Sequence, residues 1–373
     1  MRILYGVQAT GQGHISRARA MAAALAPYPV DVTWLFSGRD RAKLFDMQPF
    51  GHYLHREGLT FNTRGGRVRY AATLGNSHPV RFLREVRELD LTGFDLVITD
   101  FEPVSAWAAR RGKVHSVGIG HQYAFGRNTP TRGGNPISNA IMRRFAPVDV
   151  PLGLHWYPYA DNVLPPILDL PDIPVANQGY VLVYLPFENQ QRVTQLMQQF
   201  PQRRFVQYAN GLEHAQAKNV TRHPASTAAF KHHLAGSAGV ICNSGFELIS
   251  ECLQWGKPVL TKPLKGQMEQ LSNALALEQL GYAQSLSTLS EQHIAKWLAA
   301  PPALPPACGF RDVARVLARW LASGCRETPA ELGKTLWPNA AGQQSSNEMR
   351  ISGLAGVPGA SQCRTGSYFS SIP

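Results

Sequence analysis

Residues 243–273, NSGFELISECLQWGKPVLTKPLKGQMEQLSN, read as helix, short strand and helix, with polar groups gathered at both helix starts. Ser244 followed three residues later by Glu247 is a capping-box pattern, which predicts a helix whose first backbone N–H groups face outward. Gly256 and Pro258 stop that helix. Val259 to Leu264 follows as an apolar strand, and Gly266, Gln267, Glu269 and Gln270 open a second helix that Gly281 closes. A helix start carrying a small Ser-Gly pair lets a phosphate approach the backbone closely. Taken locally, the same residues also suit an ordinary αβα piece, because capping boxes occur wherever helices start.

The strand Gly239 to Asn243 delivers the chain into this stretch, and a βα series precedes it: Tyr180 to Pro186, a helix from Gln190 to Phe200, Arg204 to Tyr208, and a helix from Thr227 to Leu234. The N-terminal half has the same rhythm. Arg2 to Val7 is a strand, QATGQGHIS a glycine turn, and Ile15 to Leu25 a helix; Val32 to Phe36, Asp95 to Thr99 and Val114 to Ile119 are further strands, with a helix expected over Asp40 to Met47. Strands alternating with helices predict parallel sheets whose ligand crevice lies at the carboxyl ends of the strands. Three such ends carry candidate chemistry: His14, Asp100 with Glu102, and His121. Each also has a plain structural reading, His14 as a turn residue and Asp-x-Glu-Pro as a loop start.

Proline-rich sequence around residues 151–179 reads as an interdomain connection, so the expected organisation is an N-terminal domain over 1–150, a linker, and a second domain over 180–327 that includes an amphipathic helix near Phe310 to Ser323. Residues 328–373, rich in Gly, Ser and Pro, read as a disordered tail.

Composition narrows the classes of function. No apolar run approaches the length that spans a bilayer, and the glycine turn after Val7 interrupts any signal-peptide core. Five cysteines without metal spacing suit free thiols in a reducing cytoplasm. The formal net charge is +12, most of it within residues 1–150, with Arg64, Arg67, Arg69 and the helical run Arg81, Arg84, Arg87 as the densest parts. In VRFLREVREL, Phe82, Val86 and Leu89 share one face and the arginines take the other, which fits a solvated helix face or a dock for an anionic surface. GQGHIS half-matches the dinucleotide fingerprint, but Ser37-Gly38-Arg39 stands where an acidic residue would hold the ribose of NAD, so a dehydrogenase is disfavoured.

VQATGQGHISRARAMAAAL, with NSGFELISECLQWGKPVLTKPLKGQMEQLSNALALEQLGYA, resembles the two signature regions of GT-B glycosyltransferases. The similarity is to family 28, the branch containing the peptidoglycan N-acetylglucosaminyltransferase, and to its bacterial and archaeal relatives. It implies two Rossmann-like doubly wound α/β domains facing a cleft, with a nucleotide-sugar, UDP-linked by analogy, on the second domain and a glycan or lipid-linked acceptor on the first. It places Ser244 and Gly245 at the donor diphosphate, Glu251 at the ribose diol, and Glu269 with Gln270 at sugar hydroxyls, with Asn273 next in the pattern. His14 falls beside the reacting carbon as the base, since imidazole suits proton transfer near neutral pH, with Asp100 as its competitor or orienting partner. Gly11, Gly13, Glu102 and His121 fall on the acceptor side.

The chain departs from the pattern at Leu185-Pro186-Phe187-Glu188, where the relatives usually carry a Gly-rich loop. With no Asp-x-Asp motif, the expectation is an inverting transfer with no required metal ion and no cofactor beyond the nucleotide-sugar. The expected setting is cytoplasmic, peripheral to the anionic inner membrane face, with no nucleic-acid partner. The alternatives are a nucleotide-sugar epimerase or hydrolase of the same fold, and a non-catalytic donor-binding subunit of a membrane-associated transferase complex.

Overall fold

A computed structural model describes residues 1–59, 63–64, 67–68, 79–126, 128–134, 144–300 and 308–337. In chain order the N-terminal half contains β1 (Arg2–Gln8), α1 (Gln12–Leu25), β2 (Asp31–Ser37), β3 (Tyr53–His55), the two-residue strands β4 (Thr63–Arg64) and β5 (Arg67–Val68), α2 (Pro79–Glu88), β6 (Leu96–Asp100), α3 (Pro103–Gly112), β7 (Ser116–Gly120), β8 (Val150–Leu154) and β9 (Val163–Leu164). The second half contains β10 (Tyr180–Tyr184), α4 (Gln190–Met197), β11 (Arg204–Tyr208), β12 (Ala215–Ala217), β13 (Val220–His223), α5 (Thr227–Gly236), β14 (Gly239–Asn243), α6 (Phe246–Gln254), β15 (Val259–Lys262), α7 (Met268–Leu280), β16 (Gln284–Ser285), α8 (Glu291–Ala299), α9 (Val313–Ala322) and α10 (Pro329–Leu336).

Two seven-stranded sheets result. The first has the order β3-β2-β1-β6-β7-β8-β9 and is parallel throughout. The second has the order β12-β13-β11-β10-β14-β15-β16, with β12 alone antiparallel to its neighbour. Central strands of both are buried on both faces, as the run Ile3, Leu4, Tyr5, Val7 and the run Val181, Leu182, Val183 show, and continuous apolar strands of this kind need helices on each side. The strand order reverses between β1 and β6 in the first sheet and between β10 and β14 in the second. Reversal splays the following loops apart and opens a crevice at the carboxyl ends, so the glycine turn at Gly11 and the Ser244-Gly245 turn each sit at such an opening. Gly6 lets α3 lie close to β1, because a Cβ there would fall 2.0 Å from the Ser105 hydroxyl.

Several sequence expectations need correction. β8 and β9 extend the first sheet into the segment read as a linker, pairing with β7 through Val117↔Val150 and onward. The chain over Asp40 to Met47 has only a short 3-10 turn, Arg41–Lys43, capped by Asp40. The region from Thr328, read as disordered, begins with α10, which carries the full capping box Thr328/Glu331. Leu332 and Leu336 are buried, and Trp337 Nε1 donates to the Val163 carbonyl at 2.9 Å, so packing on β9 gives this short helix stability that its composition conceals. The remainder of the expected tail lies outside the described residues, as do Arg69 and Cys363. α9 returns to pack against α1 of the N-terminal half. Cys242, Cys252, Cys308 and Cys325 are free thiols. Among the described residues no helix is long and apolar enough to cross a membrane.

Candidate functional site

The carboxyl ends of the two sheets face each other around a cavity of about 490 Å³. Its floor is made where two helix starts meet. α1 begins at Gly11 and α6 at Gly245; both N-caps are extended backbone without a side-chain hydrogen bond, and a Cβ at either would meet nothing within 4 Å. Both helices therefore present uncapped N–H groups and the positive end of the dipole, which favour an anionic ligand.

From the N-terminal side, His14 lies in the first turn of α1, and its Nδ1 is 2.8 Å from Asp100 Oδ1 at the end of β6. Arg17, one turn on, grips the same carboxylate with Nε to Oδ2 at 2.9 Å and Nη2 to Oδ1 at 2.8 Å. Nη2 also lies 2.8 Å from His14 Nδ1. With the acceptor-only Asp100 carboxylate 2.8 Å away, we place the imidazole proton on Nδ1, donating to Asp100, which leaves Nε2 to accept a proton. Burial alone would raise the Asp100 pKa, but Arg17 and His14 outweigh it and hold the carboxyl below its ordinary range. Asp100 is thus ionised where it meets the His14 ring.

From the second half, Glu247 in the first turn of α6 pairs with Arg17 Nη1, and Gly13 is required where the helices touch, because its Cβ would fall 2.6 Å from Glu247 Cγ. Burial, reinforced by Glu251 and Asp100 and opposed by Arg17, pushes the Glu247 carboxyl up to about 8. One turn further, Glu251 lines the cavity and pairs with Lys231 of α5; burial raises its pKa against the pull of that lysine.

The structure brings Gly11, Gly13, His14, His121, Gly245, Glu251, Glu269 and Gln270 onto the cavity wall. Ser244 is not the helix cap. It is fully buried, its hydroxyl bonded to Thr261 Oγ1 at 2.8 Å, and Glu247, its expected capping partner, is drawn away to Arg17. Asn273 is buried beneath the wall, donating to the Ser244 carbonyl at 3.0 Å and meeting His121 Nε2 at 2.7 Å. His121, whose Nδ1 meets the Leu154 carbonyl at 2.8 Å and whose ring stacks on Phe246 at 4.0 Å, ties the two halves together while lining the cavity. Glu102 is fully buried below the crevice: it caps α3, accepting from Val104 N at 2.8 Å and Ser105 N at 2.6 Å, and binds Ser37 Oγ at 2.6 Å. Gln270 Oε1 accepts from Leu264 N at 3.0 Å, leaving its amide nitrogen for a ligand, and Glu269 receives Gln122 Nε2 across the cleft at 3.1 Å. The divergent loop after β10 is tied down by Glu188 pairing with Lys262.

Residues that local sequence did not reveal complete the wall. Arg17 stands three after His14, a helical neighbour, and its partner Glu247 is 230 positions away. Tyr184, Tyr208 and Phe230 form an aromatic slot at the ends of β10 and β11, with Phe230 edge-on to both tyrosines at 5.3 and 5.2 Å. Arg39, after β2, also lines the cavity and donates to the Thr10 carbonyl at 2.9 Å. Among the described residues, Gln12 Nε2, Arg19 Nη2, Gln122 Oε1 and Gln267 Oε1 are buried on this wall without a hydrogen-bond partner. An unmet buried polar atom costs about 1–3 kcal/mol, so this wall is polar and incompletely satisfied within the protein.

The geometry agrees with what known proteins share with this chain. The structure is similar to the glycosyltransferase SnogD from Streptomyces nogalater, at 19% identity and a TM-score of 0.51 over 90% of this chain and 98% of that one. It is also similar to MurG from Acinetobacter baumannii, at 16% identity and a TM-score of 0.52 over 86% and 98%. Streptomyces sp. SF2575 SsfS6, complexed with thymidine diphosphate, matches at 15% identity and a TM-score of 0.51 over 86% and 99%. No curated protein matches the chain by sequence. Residues 1–302 match the family described as glycosyl transferase family 1, so the chain belongs to that family and is a glycosyltransferase of the two-sheet GT-B fold.

Proposed function

We propose that the protein transfers a sugar from a nucleoside diphosphate sugar to an acceptor hydroxyl with inversion, the donor lying on the second sheet and the acceptor on the first. The observation that carries this reading is the meeting of two uncapped helix starts in one cavity, one bearing a His14–Asp100 pair and the other an open glycine N-cap. The α6 N-terminus, with Gly245 permitting close approach, receives the diphosphate and stabilises charge developing on it as it leaves. Glu251 keeps one oxygen on Lys231 and offers the other to the ribose hydroxyls, and the Tyr184/Tyr208/Phe230 slot accepts the base. Glu269 and the free amide of Gln270 face the sugar. His14 Nε2 removes the acceptor proton while Asp100 holds the ring and stabilises the imidazolium. The thymidine diphosphate complex of SsfS6 supports a pyrimidine nucleotide as the donor carrier.

On the acceptor side, α2 presents Val80 and Leu83, 71% and 50% exposed, among Arg81, Arg84 and Arg87, while Val86 faces the core. An apolar ridge flanked by arginines suits peripheral docking on an anionic membrane face, which favours a lipid-linked acceptor made in the cytoplasm for the cell envelope. Turnover of UDP- and TDP-sugars with and without lipid extracts tests the reading. Acceptor-dependent turnover supports it, acceptor-independent turnover identifies an epimerase or hydrolase, and binding without turnover identifies a non-catalytic subunit.

A further inference from the structure

Glu247 is unexplained by the donor site as drawn, because a carboxylate in the first turn of α6 stands where a diphosphate must approach. Its surroundings resolve the conflict. From α1, Arg17 contacts it; from β6, Asp100 takes two further donors of the same guanidinium, with His14 on the same Oδ1 that Arg17 Nη2 holds; from its own helix, Glu251 lies one turn away with its charge met by Lys231 of α5. Arg17 is 3% exposed and carries one positive charge between two acids. Asp100, held by two guanidinium bonds and the imidazole, takes the larger share of that charge, so a charge on the largely covered Glu247 would be only partly balanced by its single bond to Arg17.

We propose that Glu247 is the catalytic acid of the transfer, holding a proton at the start of α6 and delivering it to the phosphate oxygen that leaves the sugar. One carboxyl oxygen accepts from Arg17, and the other, as O–H, faces the cavity that Glu247 lines. The bond from the anomeric carbon to the phosphate oxygen breaks with its electron pair going to that oxygen, which takes the Glu247 proton. The acceptor oxygen forms the new bond to the anomeric carbon as its own proton passes to His14 Nε2. The product is the glycoside and a protonated nucleoside diphosphate, and Glu247 regains a proton as His14 loses one after release. The raised Glu247 and lowered Asp100, on opposite ends of one arginine, match this split between an acid and a base-orienting carboxylate.

The proposal rests on the diphosphate lying at α6, and the test separates the two. UDP and TDP are titrated calorimetrically into the wild-type protein and Glu247→Gln between about pH 7 and pH 9.5, in buffers of differing ionisation enthalpy. If the protonated carboxyl receives the phosphate, wild-type Kd rises about tenfold per pH unit above about pH 8 and binding takes up about one proton, whereas Glu247→Gln shows neither. With whichever donor sugar turns over, Glu247→Gln lowers kcat by about 10²–10⁴ while donor KM stays within about threefold. A wild-type Kd that is flat with pH, or the same slope in both proteins, overturns the proposal and leaves the donor site standing. Failure of both nucleotides to bind the wild type overturns the donor site itself. Should Glu247→Gln fail to fold, the wild-type slope and proton uptake decide alone.

Discussion

The starts of α1 and α6 are built alike and charged differently. Each follows a central strand at the point where its sheet reverses order, each is capped by a glycine with no side-chain bond, and each leaves room for a ligand at that glycine. In its first turn, α1 carries an imidazole backed by an ionised carboxylate, whereas α6 carries a largely covered carboxyl and no imidazole. On the proposed reading, the same backbone device serves proton acceptance on one side and anion reception on the other. Arg17 binds both carboxyls, Asp100 and Glu247.

Removing that link gives the largest expected effect. Arg17→Met leaves Asp100 and Glu247 without their shared cation, and urea unfolding should show a loss of about 3–5 kcal/mol. Adding Asp100→Asn should return part of that loss; if it returns nothing, the loss does not come from the uncompensated Asp100 charge. Next in size, His14→Ala should lower kcat by about 10²–10⁴ while UDP affinity is little changed, as expected if α1 handles protons and not the nucleotide. A parallel fall in UDP affinity would merge the two roles.

A gentler probe uses the glycines. Gly245 has ordinary backbone angles, φ −75 and ψ 142, and open space at its Cβ, so Gly245→Ala should leave Tm within about 1 °C yet weaken UDP binding about tenfold, because the methyl group stands where the phosphate approaches. Gly11→Ala, equally open on the other helix, should leave UDP binding intact. The last effect is on the pH dependence of stability. Glu247 is raised in the folded protein from 4.5 to about 8, so its stabilising contribution is complete below about pH 4.5 and is lost as pH rises towards 8. Asp100 is lowered, so its contribution is present above the unfolded pKa and is lost as pH falls through the folded one. Glu247→Gln should flatten the decline between about pH 4.5 and 8 and leave the acid limb unchanged, as followed by urea midpoints across pH.

The fold was legible because its signals are local. Short apolar runs such as RILYGV and GVICN, each followed by a glycine turn and a helix, specify parallel strands without reference to distant residues. His14, Gly245 and Glu251, which the family resemblance named, all line the cavity. What the sequence hid was decided at long range. The Ser244/Glu247 capping box is locally well formed, yet Glu247 turns to an arginine in the other half and Ser244 to a threonine on the next strand. Glu102 looked like crevice chemistry, but the proline after it starts α3 and makes Glu102 the cap. α10 was invisible because a short helix is held by packing on β9, not by its own propensity.

The central claim is that the nucleotide belongs to the α6 side and the proton to the α1 side. Calorimetric titration of UDP and TDP into the wild type, His14→Ala and Glu251→Ala tests it most directly. The account predicts binding to the wild type, unchanged binding to His14→Ala, and a loss of about 10- to 100-fold in Glu251→Ala from the missing ribose contacts. Equal affinity in the wild type and Glu251→Ala, or a loss confined to His14→Ala, would contradict it.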